Sequence, residues 1–429
     1  MMSAGGSIML LESLLAQCRT GTVAGLPRPL AQCRTGMVAG LPPRSMVMSA
    51  ADARVPTPAP VPAPTRTHPL RFVDIGVNLL DSMFDGEYRG KRAHPPDLDD
   101  VLARAWEAGV EHAIVTAGTL EESRKALALV RRQRAANCPV QLYSTVGVHP
   151  TRSLEFLPPD ARAEVEAAME AAAAEPAGLL AQQLAKVEEQ VLGRPAVVEA
   201  MTRHTAALRE VLDDGAIDGA IVAVGECGLD YDRLMFCPRL VQRASFELQL
   251  QLGEATGQPL FLHNRATGGE FATVCAANSA RLRSGGVVHS FDGGLPELDE
   301  LLAQGLHIGL NGCSLKTPAN LEVAAAVPLS ALHLETDAPW CAIKRTHAGH
   351  THVRPLLCPA TGEPYAEEKK ERWRSGACVK DRCEPCHING VLQVVSAMHG
   401  GQAAEADVAH AAFDNSVRLF RLPAARHTA

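Results

Sequence analysis

Residues 219–230 read GAIVAVGECGLD. A short apolar run stops on a carboxylate, Glu226. It has no alternation of polar and apolar positions, so it reads as a strand covered on both faces, as in parallel sheets. Seven other segments have the same character: 71–77, 112–117, 141–148, 259–263, 286–291, 306–310 and 332–336. Runs suited to helices separate them at 97–108, 120–135, 239–256, 269–283, 296–304 and 320–326. Eight buried strands alternating with helices predict an α/β fold, a TIM-type (β/α)8 barrel. An open doubly wound sheet is the structural alternative.

The barrel is expected over residues 69–425 of the 429. Residues 1–68 differ in kind. LAQCRTGTVAGLP at 15–27 is nearly repeated as LAQCRTGMVAGLP at 30–42, and a Pro/Ala tract follows at 55–64. Acidic residues are scarce there while arginines are spread through it, which fits either an organelle transit peptide or a disordered extension. Two connections are long. One, about 155–218, is rich in Ala and Glu and reads as a loosely packed helical insertion. The other, 337–384, follows the last strand and so belongs over the mouth of the barrel.

The net charge of −7 supplies no broad basic track for nucleic acid. Local cations or a bound metal would have to provide the positive field for an anionic substrate. Twelve cysteines scattered over so long a chain do not form a dense disulfide framework and read as reduced intracellular thiols. No run of about 18 apolar residues predicts a membrane span. The expected setting is cytoplasm or nucleus, or an organelle if the first 68 residues are a transit peptide.

The predicted strand ends carry the chemistry. Glu226 closes the fourth, His263 the fifth (FLHNR, 261–265), His289 lies near the end of the sixth (VVHSFDG, 287–293), and Asp337 follows the eighth (ETDAPW, 335–340). A barrel brings such ends to one mouth, where two imidazoles and two carboxylates can hold a divalent ion.

The chain resembles the TatD family of deoxyribonucleases, most closely its eukaryotic branch, from about residue 72 to 422. The segments that carry the resemblance are DIGVN (74–78), YRG (88–90), STVGVHPTR (144–152), GECGLDYDR (225–233), GVVHSFDG (286–293), IGLNGCSLK (308–316), ETDAPWC (335–341) and KDRCEPCH (380–387). The resemblance implies a barrel of the metal-dependent hydrolase type that hydrolyses DNA phosphodiester bonds with a metal-activated water, in a 3'-5' exonuclease mode. It assigns Glu226, His263, His289 and Asp337 as metal ligands, Glu226 bridging where two ions bind and Asp337 also accepting the proton of the attacking water. It favours Mg2+, with Mn2+ or Zn2+ compatible with the mixed ligands, and one or two ions. The expected partner is single-stranded or end-frayed DNA, held with weak sequence preference by a monomeric enzyme.

Departures from the family bear on the ion count. Relatives commonly open strand 1 with Asp-x-His-x-His, and here the same positions read Asp74, Gly76 and Asn78. Gly76 cannot ligate and Asn78 offers only an amide oxygen. Asn264 stands where Cys is common. Asp74 is expected to orient a ligand.

Other residues have two readings each. His149 is either a catalytic contact to phosphate or metal-bound water, or a hydrogen-bonded structural histidine. Arg265 either clamps phosphate or pairs with a barrel carboxylate. Lys316 either meets the DNA backbone or is solvated, and Trp340 either stacks on a base or packs under the long loop. Arg152 joins Arg233, Lys344, Arg345, Lys380 and Arg382 as cations in motif loops that could touch phosphates. Cys378, Cys383, Cys386 and His387 read like a zinc knuckle by letters. Their C-x4-C-x2-C-H spacing lacks a second pair at finger-like distance, and the resemblance makes the stretch a loop entering the last helix. His347, His350 and His352 read as a solvated loop. A different metallohydrolase on the same barrel, or a non-catalytic scaffold, are the competing functions. The first would ordinarily need the strand-1 histidines or a carbamylated lysine.

Overall fold

The computed structural model describes residues 68–173, 179–400 and 404–423. The repeat and the Pro/Ala tract of the N-terminal stretch lie outside these residues. Eight parallel strands form one sheet in sequence order: β1 (Phe72–Val77), β2 (Val110–Val115), β3 (Gln141–Val146), β4 (Ile221–Asp230), β5 (Leu260–Arg265), β6 (Gly286–Val288), β7 (His307–Leu310) and β8 (Leu332–Leu334). The exit of β8 returns to β1. The Asp337 N–H donates to Gly76 O at 2.8 Å and the Asn78 N–H donates to Ala338 O at 2.7 Å. These bonds join the sheet's two edges into the expected barrel rather than an open sheet.

The strands are buried runs because helices cover the outside and side chains fill the inside. Val73, Ile75, Ile114, Tyr143, Val222, Phe261 and Val287 make the inner core, with Phe413 and Phe420 from the C-terminal helix region. Eleven helices are formed among the described residues: α1 (Leu98–Glu107), α2 (Leu120–Ala135), α3 (Pro159–Ala173), α4 (Leu179–Leu192), α5 (Pro195–Ala216), α6 (Arg239–Thr256), α7 (Glu270–Ala277), α8 (Leu295–Ala303), α9 (Pro318–Ala326), α10 (Ile388–Met398) and α11 (Glu405–Leu419).

The insertion is not loosely packed. Val165 of α3, Val191 and Leu192 of α4, and Val197, Met201, Leu208 and Leu212 of α5 are buried in the main core. The Glu188 side chain of α4 accepts from the Leu240 and Val241 N–H groups, occupying two of the unpaired donors that begin α6. High Ala and Glu content therefore set the helix propensity, while a sparse set of aliphatic residues docks the helices.

The second long connection is anchored by a buried ion network. Arg104 of α1 donates to Glu384 at 2.8 Å, and Arg382 pairs with Asp97 and with Glu384 at 3.0 Å. Removing one partner from such a group leaves a buried charge and costs about 3–5 kcal/mol. Arg382 is thus a structural cation, not one of the DNA-facing residues of the sequence reading.

His112, on β2, is buried with neither ring nitrogen hydrogen-bonded and lies against Tyr143 and Phe413. Burial pushes its pKa down to about 4 despite the neighbouring Glu111. The neutral ring therefore favours the folded state above the unfolded-state value near 6.5, and that stability is lost as pH falls from there toward 4. The loss amounts to about 3 kcal/mol. Urea unfolding of wild type and His112→Leu should show the variant gaining relative to wild type by about that amount as pH falls from 6.5 to 4. A pH-independent difference would contradict this role.

Candidate metal-binding active site

Two glycines let β4 carry its carboxylate into the mouth. A Cβ on Gly225 would lie 2.2 Å from Phe261 O, and one on Gly228 would lie 1.9 Å from His263 O. Both glycines have positive φ, and the register against β5 shifts between Val224 and Cys227. This irregularity lets β4 continue to Asp230, four residues past the end read from sequence. Glu226 and Asp230 both meet the ring of His263 from that extension.

Glu226 Oε1 is the meeting point. His263 Nδ1 and His289 Nε2 each lie 2.8 Å from it, and His149 Nε2 lies 3.4 Å away. The nitrogens of His263 and His289 are 3.3 Å apart. The far nitrogens face carboxylates: His263 Nε2 is 3.3 Å from Asp230 Oδ2, and His289 Nδ1 is 3.5 Å from Glu335 Oε2. Burial alone would favour neutral rings, but Asp230 and Glu226 raise the pKa of His263, and Glu226 and Glu335 raise that of His289 well above its ordinary value. In turn, the imidazoles outweigh burial and hold Glu226 well below the usual carboxylate range.

This arrangement fits a divalent cation. His263 Nε2, His289 Nδ1, Asp230 Oδ2 and Glu335 Oε2 are buried without an aligned hydrogen-bond partner. A histidine with one nitrogen toward a common carboxylate and the other backed by a second carboxylate is the pattern of metal-ligating imidazoles. The crowding of lone pairs around one point that draws protons would equally draw a metal ion.

Asp337 enters from the loop after β8 with positive φ and its N–H bonded to Gly76 O. Its carboxylate accepts from Asn78 Nδ2 at 2.7 Å and from the Cys341 thiol at 3.1 Å. Burial pushes its pKa up to about 6, with Glu335 and Glu226 adding to the effect and His289 opposing it. Asp337 therefore shares the electrostatic field of the cluster but sits beside it, tied to strand 1. Buried Asp74 accepts from Thr336 N at 3.0 Å and from Thr336 Oγ1 at 2.6 Å, fixing the residue before Asp337.

The altered strand-1 pattern has a structural counterpart. A Cβ on Gly76 would fall 2.6 Å from Glu335 Oε2, so Glu335 fills space that a side chain there would need. Thr116 Oγ1 donates to Asn78 Oδ1 at 2.7 Å, which turns the Asn78 amide nitrogen, not its oxygen, toward Asp337. Asn78 thus positions a carboxylate instead of lending an oxygen to an ion.

The remaining residues divide. His149 follows β3, accepts from Thr151 N at 3.2 Å through Nδ1, and turns Nε2 toward Glu226. Burial pushes its pKa down to about 3. Arg265 is half-buried and pairs with Asp292 at 3.1 Å. Arg152 and Lys316 are exposed. Trp340 is 50% exposed, which removes the core-packing reading, and Phe236 after β4 is exposed at 58%. Asp230, Glu335 and Phe236 were not singled out from sequence. Asp230 lies four residues beyond Glu226 on one extended strand, and Glu335 lies two before Asp337, spacings that a period of two could have flagged.

The model of the TatD-related DNase family matches residues 73–421. The chain belongs to the TatD family. It is 35% identical over 350 residues to a Schizosaccharomyces pombe protein named Deoxyribonuclease Tat-D, covering 82% of this chain and 96% of that one. It is 28% identical to an Erwinia tasmaniensis protein named 3'-5' ssDNA/RNA exonuclease TatD, covering 81% and 99%. A TatD family hydrolase structure from Entamoeba histolytica superposes with a TM-score of 0.64 at 27% identity, covering 82% and 99%. The eukaryotic TatD branch and the barrel read from sequence both stand.

In this TatD chain, Asp230 and Glu335 face the outer nitrogens of the two histidines, where they would orient them on a bound cation. Asp230→Asn and Glu335→Gln should each weaken Mn2+ affinity about 10- to 100-fold by calorimetry. Unchanged affinity in both would contradict that assignment.

Proposed function

We propose that this TatD-family enzyme is a metal-dependent deoxyribonuclease that removes nucleotides from a 3' end of single-stranded or frayed DNA. The observation that carries the reading is the convergence of His263, His289 and His149 on one oxygen of the largely covered Glu226 side chain. The names of the fungal and bacterial relatives supply the substrate class and the direction.

Glu226, His263 and His289 would hold the cation, with Asp337 beside them as a further ligand or as the base. A divalent cation bound there neutralises a phosphoryl oxygen and lowers the pKa of water toward neutrality. Mg2+ is our preferred ion, and a single ion suits a strand 1 that offers no imidazole. Asp337, held by Asn78 and Cys341, accepts the proton of the attacking water. The water oxygen bonds to phosphorus, the P–O3' bond breaks, and the departing O3' takes up the proton that Asp337 received, which restores the carboxylate. His149, whose Nε2 faces the cluster, is placed to hydrogen-bond a phosphate oxygen.

Arg152, Lys316, Lys344 and Arg345 are exposed on motif loops and would contact successive phosphates. Trp340 offers a face on which a terminal base can stack. Arg265 would exchange its Asp292 contact for phosphate when DNA enters.

Purified protein should shorten a 3'-labelled single-stranded oligonucleotide, and EDTA should stop it. Glu226→Ala should lose cleavage while keeping its circular dichroism spectrum. Folded Glu226→Ala that cleaves like wild type would overturn the site. Loss of a 5' label first would overturn the direction. Trp340→Ala should raise KM for the oligonucleotide about 5- to 150-fold with little change in kcat, as expected for a stacking contact of about 1–3 kcal/mol.

A further inference from the structure

A second group of metal-ligating side chains lies behind the catalytic mouth. Sγ of Cys378, Sγ of Cys386 and a ring nitrogen of His387 are all within 4.8 Å of one another. Cys378 Sγ and Cys386 Sγ flank the same Glu384 carboxylate oxygen, and the Cys383 thiol lies next to them in the chain, 3.9 Å from Glu384 O. The three cysteines are buried. The Glu384 N–H donates to His387 Nδ1 at 3.0 Å, which leaves Nε2 as the available donor atom. A zinc knuckle by linear spacing would need two distant pairs. Here the chain runs from the short strand Cys378–Val379 to the turn Pro385–His387, which brings Cys378, Cys386 and His387 together.

We infer that Cys378, Cys386 and His387 hold a structural zinc ion, separate from the catalytic centre, with the Cys383 thiol turning from Thr336 O to complete the set. Tetrahedral zinc takes Cys3His sets with Zn–S near 2.3 Å and Zn–N near 2.0–2.1 Å. The donor atoms of Cys378, Cys386 and His387, within 4.8 Å of one another, would draw together around an ion of that size. Soft thiolates select zinc over Mg2+, whereas the carboxylate and imidazole set of the mouth does not exclude Mg2+. Three thiolates and Zn2+ leave one net negative charge. Arg104 stands ready to balance it: its Nη1 and Nη2 are buried without a hydrogen-bond acceptor. Its Nε is held by Glu384 Oε2, an oxygen 3.8 Å from Cys378 Sγ and 3.9 Å from Cys386 Sγ.

The site closes the end of the long connection onto the start of α10. Cys383 donates its N–H to Pro339 O at 3.0 Å, and its thiol lies 3.8 Å from Thr336 O. These residues flank Asp337, so the zinc clamp would hold the backbone that presents the catalytic carboxylate.

The full chain, purified without added zinc, should contain about one equivalent of zinc by elemental analysis. Exchange with Co2+ should give a thiolate-to-cobalt charge-transfer band and the visible absorption of tetrahedral cobalt. Cys378→Ser and Cys386→Ser should lose that band, while Glu226→Ala should keep it. A wild type that binds Co2+ without the band overturns the proposal, as does a band that survives in both serine variants. If the serine variants do not fold, titrating wild type with a thiol-specific mercurial decides. Zinc released in step with blocking of Cys378 and Cys386, followed by peptide mapping, supports the clamp, and zinc retained once both are blocked overturns it.

Discussion

One carboxylate oxygen gathers the functional end of this barrel. Glu226 Oε1 is within 3.4 Å of three imidazole nitrogens drawn from three different positions in the chain. Such a cluster is costly to bury unless charge and lone pairs balance. Asp230 and Glu335 provide the balance by facing the outer nitrogens of His263 and His289. The glycines of β4 provide the room, since any side chain at Gly225 or Gly228 would strike the backbone of β5. Local backbone, packing and electrostatics thus lead to the same point.

Asp337 is governed by a different set of contacts. Its N–H joins β8 to β1, its carboxylate is held by Asn78, and Asp74 fixes the preceding residue. The closure of the barrel and the placement of the Asp337 carboxylate, proposed as the base, are therefore one structural event. The absence of strand-1 histidines is accommodated within it. Glu335 occupies the space next to Gly76, and Asn78 supports Asp337 from the position where relatives commonly carry a ligand.

The barrel was legible from its eight buried runs. The strand-end reading of Glu226, His263 and His289 corresponds to three side chains that meet in the structure, although Glu226 lies within β4 and Asp337 sits beside the group. What was not legible depended on side-chain direction. Sequence could not tell that Arg382 is buried against Asp97 and Glu384 while Arg152 is exposed. Nor could composition show that the 155–218 segment docks through Val165, Met201 and Leu208. The extension of β4 to Asp230 arises from a register shift, which an apolar-run reading ends too early. The cysteines near α10 were set aside on linear spacing, a criterion that does not see a turn bringing Cys378 beside Cys386 and His387.

Anomalous diffraction from crystals soaked in Mn2+ tests the central claim most directly. The account predicts a peak at the barrel mouth, bonded to Glu226 and to ring nitrogens of both His263 and His289. A mouth that stays without an anomalous peak at saturating Mn2+, or a peak that touches none of these three side chains, would contradict it.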